Sequence, residues 1–189
     1  MTEAQVKEYL ENMTLEFGFS QAAFLDPKEL VFTPEFRQCC EDNVCGNYNA
    51  NYSCPPYCGT VEEMREKTLP YNRGLVMMTQ MEVDDAYDEA AIKPIKKDHS
   101  LRSRMMFKEL KEKGVIGKGL AMMAGPCSLC DQCTMPAGEP CRFPEDRTSC
   151  MSAYCLNVVE LGKSAGLDIS WDAGQVSFFS MYLWNDQSV

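Results

Sequence analysis

Three cysteines spaced by two residues, Cys127-Ser-Leu-Cys130-Asp-Gln-Cys133, constrain this chain more than any other feature. Thiolates at this spacing wrap one corner of a cubane cluster, each reaching a different iron while the intervening N–H groups point at sulfur. Structural zinc draws instead on paired Cys-x2-Cys knuckles from two separated places, and a tetrahedral knuckle has little use for a third thiol here. The spacing favours a [4Fe–4S] cluster over zinc, and both over buried, unligated cysteines. Cys141, seven residues on, is the local candidate for the fourth ligand.

A second group precedes it, Cys40-x4-Cys45-x8-Cys54-x3-Cys58. Its wider gaps are less specific, but the loop is built to hold something. Pro56 restricts the residue before it, so Cys54-Pro55-Pro56 is stiff and preorganises a ligand. Gly46 and Gly59, each directly after a cysteine, leave the backbone unhindered for close approach to a metal. In ferredoxins the cysteine before a proline ligates the other cluster. Cys54-Pro55 therefore keeps a crossed arrangement open beside local ligation, which is the preferred reading. Eight cysteines in two groups of four match the stoichiometry of two cubanes. Cys39, Cys150 and Cys155 are left over. Cys39 competes with Cys40 for the first position, and the other two, at helical spacing, read as core residues.

The compartment bears on how eleven cysteines are used. Met1-Thr2-Glu3-Ala4-Gln5 has neither the basic start nor the apolar stretch of a signal peptide. No apolar run approaches the roughly 20 residues of a membrane span. The expected location is cytoplasmic, where thiols stay reduced and disulfide frameworks are rare. A net charge of -10 argues against nucleic acid or an anionic membrane as partner and suits docking onto a basic face of a redox partner. The 189 residues, 45% hydrophobic, supply a core of their own, so metal is not needed merely to fold the chain.

Periodicity predicts one domain over residues 1–189, with cysteine-rich loops at about 39–59 and 125–144. Helix is expected over 2–17, capped by Thr2 and stopped by Gly18. A strand at Gln21–Leu25 is followed by a short helix from Thr33-Pro34 into Cys39-Cys40. Thr60-Val61-Glu62-Glu63 is a capping box for a helix to about Leu69. Gly74–Met81 and Lys118–Ala124 read as buried strands. The charged stretch Asp84–Lys113 reads as helix interrupted at Pro94, and 149–165 as a helix closed by Gly166. Leu167–Trp171 and Gln175–Trp184 read as a hairpin around Asp172-Ala173-Gly174. The fold class is α+β, or α/β, with a central sheet flanked by helices.

With these residues in place the chain resembles a catalogued family of metal-binding proteins, domain of unknown function 2284, common in anaerobic bacteria and archaea. The likeness rests on Cys40-Glu-Asp-Asn43-Val-Cys45-Gly46-Asn-Tyr48 with Ser53-Cys54-Pro55-Pro56-Tyr-Cys58-Gly59. It rests equally on Ala124-Gly125-Pro126-Cys127-Ser-Leu-Cys130-Asp-Gln-Cys133, Pro140-Cys141-Arg142-Phe143-Pro144 and the Met-x-Ala-Tyr run Met151-Ser152-Ala153-Tyr154. It spans nearly the whole chain. The resemblance implies metal binding by Cys40, Cys45, Cys54, Cys127, Cys130, Cys133 and Cys141, and Cys58 belongs to the signature in only part of the family. Ser152 stands where Glu is expected and Cys155 where Gly is expected.

Other residues are weaker signals. His99, the single histidine, lies on a charged stretch and reads as solvated. Arg142, beside Cys141, reads as a surface residue or as a partner for an anion. Tyr48, Tyr52 and Tyr57 read either as a lid over the first cluster or as the small core under its loop. The thirteen methionines read as core filler. No P-loop, dinucleotide turn or nucleophile elbow occurs. The leading expectation is an iron–sulfur protein carrying electrons to or from a partner enzyme. An iron–sulfur oxidoreductase with an open iron site for a small molecule, and a structural zinc module, are the alternatives.

Overall fold

The computed structural model describes residues 2–169 and 174–186. Its frame is a five-stranded sheet in the order β1-β2-β5-β3-β4, from β1 (Gln21–Leu25), β2 (Arg73–Glu82), β3 (Leu120–Met123), β4 (Ser149–Cys150) and β5 (Gln175–Trp184). The β1–β2, β2–β5 and β5–β3 pairs are antiparallel and β3–β4 is parallel, so the fold is α+β.

The sheet is buried on both faces, as its apolar strands require. Side chains alternate along a strand, and each strand therefore feeds two cores. Leu75 and Met77 of β2, Tyr182 and Trp184 of β5 and Met123 of β3 face one side, with Leu10 and Met13 of α1 (Glu3–Glu16) and Met106 and Leu110 of α4 (Glu89–Glu112). Val76, Met78, Met122, Met181 and Leu183 face the other. There they meet Met64 of α3 (Val61–Glu66), Leu161 of α5 (Val158–Ala165) and a 3₁₀ turn, Met151–Tyr154. Cys58 belongs to this second core, which places the first cysteine group on that face. Ten of the thirteen methionines are buried, as expected of an adaptable apolar filler.

The capping signals act as predicted. Thr2 and Gln5 form a reciprocal box on α1, and Thr60 and Glu63 another on α3. Gly18, at φ +71°, turns the chain out of α1. None of the described helices is long and apolar enough to cross a membrane.

Three expected elements differ. α4 is continuous through Pro94, where an interruption is expected; the proline lies only in the second turn, so it removes a single hydrogen bond near the frayed end. The helix expected over 149–165 begins only at Val158. Cys150 is extended and pairs with Met123, Cys155 takes a left-handed conformation at φ 56°, and Asn157 then caps α5 by accepting from the Val159 and Glu160 N–H groups. Of the expected terminal hairpin, only the second strand is seen among the described residues. Leu167–Ile169 form no strand, residues 170–173 lie outside the described set, and β5 pairs with β2 along its whole length.

Candidate metal centre

The first cysteine loop is a series of turns organised by asparagines, which tolerate left-handed backbone and bond their own neighbours. Asn43 and Asn49 sit at φ 54° and 53°. The Asn43 side chain accepts from the Tyr48 N–H at 2.9 Å, and Asn47 Nδ2 donates to the Cys45 carbonyl at 2.7 Å. Asn49 N donates to the Pro55 carbonyl at 2.9 Å, folding the loop back on itself. A segment this long and this poor in apolar residues is thereby given one shape by side-chain bonds.

This folding gathers the first group on one face. α2 (Arg37–Glu41) carries Cys39 and Cys40, while Cys54 and Cys58 are buried and Cys45 is exposed. The structure adds residues that spacing did not select. Arg37 Nη1 donates to the Gly59 carbonyl at 3.3 Å and lies 3.9 Å from Cys58 Sγ, its Nη2 donates to the Ala153 carbonyl at 3.0 Å, and it also bonds the Cys155 side chain. Burial works against the Arg37 charge, yet the Cys155 and Cys58 thiols hold its pKa above the ordinary value. Burial, followed by repulsion from Cys150, pushes the Cys40 thiol up to about 11 and the Cys54 thiol to about 12. Burial likewise pushes Cys58 and Cys150 up. Such buried, crowded sulfurs resist ionising without a compensating cation. Arg37 Nε is a buried donor without a partner among the described residues.

The second group surrounds a space. Cys127, Cys130, Cys133 and Cys141 line one cavity of about 270 Å³, and its opposite wall is Asn47 and Ala50–Ser53 of the first loop. One water occupies about 30 Å³ of liquid, so the cavity is far larger than a bare ion requires. The two loops are bonded together there. Cys127 N donates to Ser53 Oγ at 3.0 Å, Asn51 Nδ2 donates to the Cys127 carbonyl at 3.2 Å, and Tyr52 OH donates to the Glu139 carbonyl at 2.7 Å. Thr134 Oγ1 donates to the Pro140 carbonyl at 2.9 Å, steadying the approach to Cys141.

Each predicted ligand therefore falls in one of two neighbouring regions. All eleven cysteines are free thiols. Among the described residues no three His, Cys, Asp or Glu side chains close on the single point that one ion would occupy. Cys150 and Cys155 do pack against or within the core, as expected, but not on a helix, and both also face the first cysteine group. Arg37, Cys150 and Ser53 are what spacing alone missed; the signal for Arg37 was its place one helical turn before Cys40. Two minor readings change and one holds. His99 is fully buried instead of solvated, because α4 turns it inward against Phe19 and Thr79. Tyr52 lines the second cavity, stacked edge-on with Tyr57 at 5.8 Å, and so is no lid over the first group. Arg142 is exposed, in keeping with its surface reading, and Arg147 lines that cavity, over the Tyr52 ring at 5.9 Å.

An α+β fold that sets two groups of free cysteines on adjoining loops defines a cysteine-rich protein equipped to bind metal. The chain belongs to the DUF2284 family of predicted metal-binding proteins, whose model matches residues 23–184 and so takes in both cysteine loops. No curated protein and no solved structure matches it.

Proposed function

We propose that the chain holds two iron–sulfur clusters of the [4Fe–4S] kind and passes electrons to or from a partner protein in a reducing compartment. The observation that carries this reading is that Cys127, Cys130, Cys133 and Cys141 line a common cavity. Four thiols around a volume suit a polynuclear group, because each thiolate binds a different iron. A mononuclear zinc site, with Zn–S bonds of about 2.3 Å, needs its sulfurs drawn close together. Cys40, Cys45 and Cys54 hold the other cluster, with Cys58 or another nearby thiol in the fourth place.

Bound clusters of this type supply one-electron transfer. The protein's own contribution is position. Ser53 is bonded to the Cys127 backbone and is followed directly by Cys54, so the two thiol groups share one wall. Two centres across one wall form a relay. The net charge of -10 favours docking on a basic partner face.

A second reading, an oxidoreductase acting on a small molecule, is favoured by the polar lining of the second cavity, where Asn47, Thr134 and Arg147 accompany the thiols. EPR spectroscopy of anaerobically purified protein, before and after reduction, tests the proposal. Two interacting reduced clusters, unaltered by small anions, are expected of the carrier. A signal that shifts when a small anion is added favours the enzyme, and a silent, colourless protein overturns both.

A further inference from the structure

The first group offers more thiols than one cluster uses, and the fold distinguishes among them. Cys150 is fixed by its backbone. It pairs with Met123 at the end of the parallel β3–β4 ladder and caps the 3₁₀ turn Met151–Tyr154. Cys150 directly precedes this turn, three residues before Ala153. The Ala153 carbonyl accepts from Arg37 Nη2 at 3.0 Å. On α2, Arg37 and Cys40 are also three apart and share a face. Two such pairs, joined through the Arg37–Ala153 bond, bring Cys40 and Cys150 to one seam, where α2 packs on the 3₁₀ turn.

Cys58 is placed differently. Its sulfur is turned toward the Gly59 carbonyl at 3.8 Å and lies 3.9 Å from Arg37 Nη1. It is packed into the apolar core with Met64 and Tyr154 and is only 5% exposed. Cys150 is half-buried and has other neighbours: the backbone N–H groups of Ala153 and Ser152 lie against its sulfur, and Cys45 is close by.

We infer that Cys150 is the fourth thiol ligand of the first centre, with Cys40, Cys45 and Cys54, and that Cys58 with Arg37 buttresses it from outside the ligand set. This rests on the cluster reading above. It makes the first centre long-range in sequence: β4, delivered by the chain beyond the second cysteine loop, closes a site begun on α2. The first centre then assembles only once the sheet edge has formed.

The test is anaerobic loading of the full chain with iron and sulfide, for the wild type and for Cys150→Ser and Cys58→Ser. The wild type is expected to take up roughly eight irons, Cys58→Ser the same, and Cys150→Ser about half, with one cluster's reduced EPR signal lost. Alkylation of the wild-type chain before and after loading keeps the inference testable if the serine variant does not fold: loading should protect Cys150 at least tenfold and leave the labelling of Cys58 unchanged. Full loading of Cys150→Ser, or an alkylation rate at Cys150 that loading does not alter, overturns the inference alone. A wild-type chain that takes up no iron overturns the cluster reading and this inference together.

Discussion

Ser53 and Cys127 lock the two cysteine loops together: the Cys127 amide donates to the buried Ser53 hydroxyl at 3.0 Å. That hydroxyl donates to Asn51 Oδ1 at 2.8 Å, and Asn51 Nδ2 returns to the Cys127 carbonyl at 3.2 Å. Both backbone polar groups of the first cysteine in the Cys-x2-Cys-x2-Cys run are thus held by the other loop. The ring of bonds fixes the position of one thiol group against the other, since Cys54 is the next residue after Ser53.

Ser53→Ala breaks this ring and leaves the part-buried Cys127 amide without its acceptor, while Asn51 Oδ1 keeps the Ser53 N–H. The expected cost is about 1–3 kcal/mol, the usual penalty for an unsatisfied buried group. Urea unfolding of the metal-free chain measures it. In the loaded protein, chelator-driven iron loss should be faster from the second centre than from the first.

Arg37→Lys keeps the positive charge and loses the fork that reaches the Ala153 and Gly59 carbonyls together. The first centre should then load poorly while the second fills normally. Iron content should fall to about half, with the loss read as one of two EPR signals.

His99 gives a pH dependence independent of metal. It is fully buried, with Nδ1 2.7 Å from Thr79 Oγ1. Burial, then the charge of Arg102, pushes its pKa down to about 4, against the opposing pull of Asp98. A lowered folded value means that the unfolded chain binds the extra proton between about pH 4 and 6.5, so stability rises with pH across that window and is lost as pH falls through it. The total is on the order of 3 kcal/mol. His99→Gln should flatten this part of the curve, measured as the urea midpoint of the metal-free chain at several pH values.

Tyr182→Phe serves as the contrasting case. The Tyr182 hydroxyl, fully buried, donates to the Ser103 carbonyl and lies 3.1 Å from Ser103 Oγ, pinning α4 to β5 far from the cysteines. The substitution should cost about 1–3 kcal/mol of stability and leave iron content unchanged. Equal losses of iron in this variant and in Arg37→Lys would show that loading follows global stability instead of the local site.

The ease of reading each part of the chain followed the range of the interactions that set it. Thr2, Thr60 and Gly18 act on their own neighbours, and the helix ends they mark lie where local chemistry places them. The strand Gln21–Leu25 was legible for the same reason. Cys127, Cys130 and Cys133 were singled out by spacing alone, and they line one cavity. The segment around Cys150 was not legible, because its apolar residues fit a helical period while pairing with Met123, a tertiary contact, draws it into the sheet. Arg37 and Ser53 were missed for a related reason: their partners lie 116 and 74 residues away, at Ala153 and Cys127. His99 was misread because a helix rich in charge still has an inner face, and positions 99, 103, 106 and 110 lie along it.

The most direct test of the account is the quantity of iron, acid-labile sulfide and zinc in protein purified without oxygen. Roughly eight irons and eight sulfides per chain, with negligible zinc, are the result expected from two [4Fe–4S] clusters. Stoichiometric zinc with neither iron nor sulfide would contradict the account.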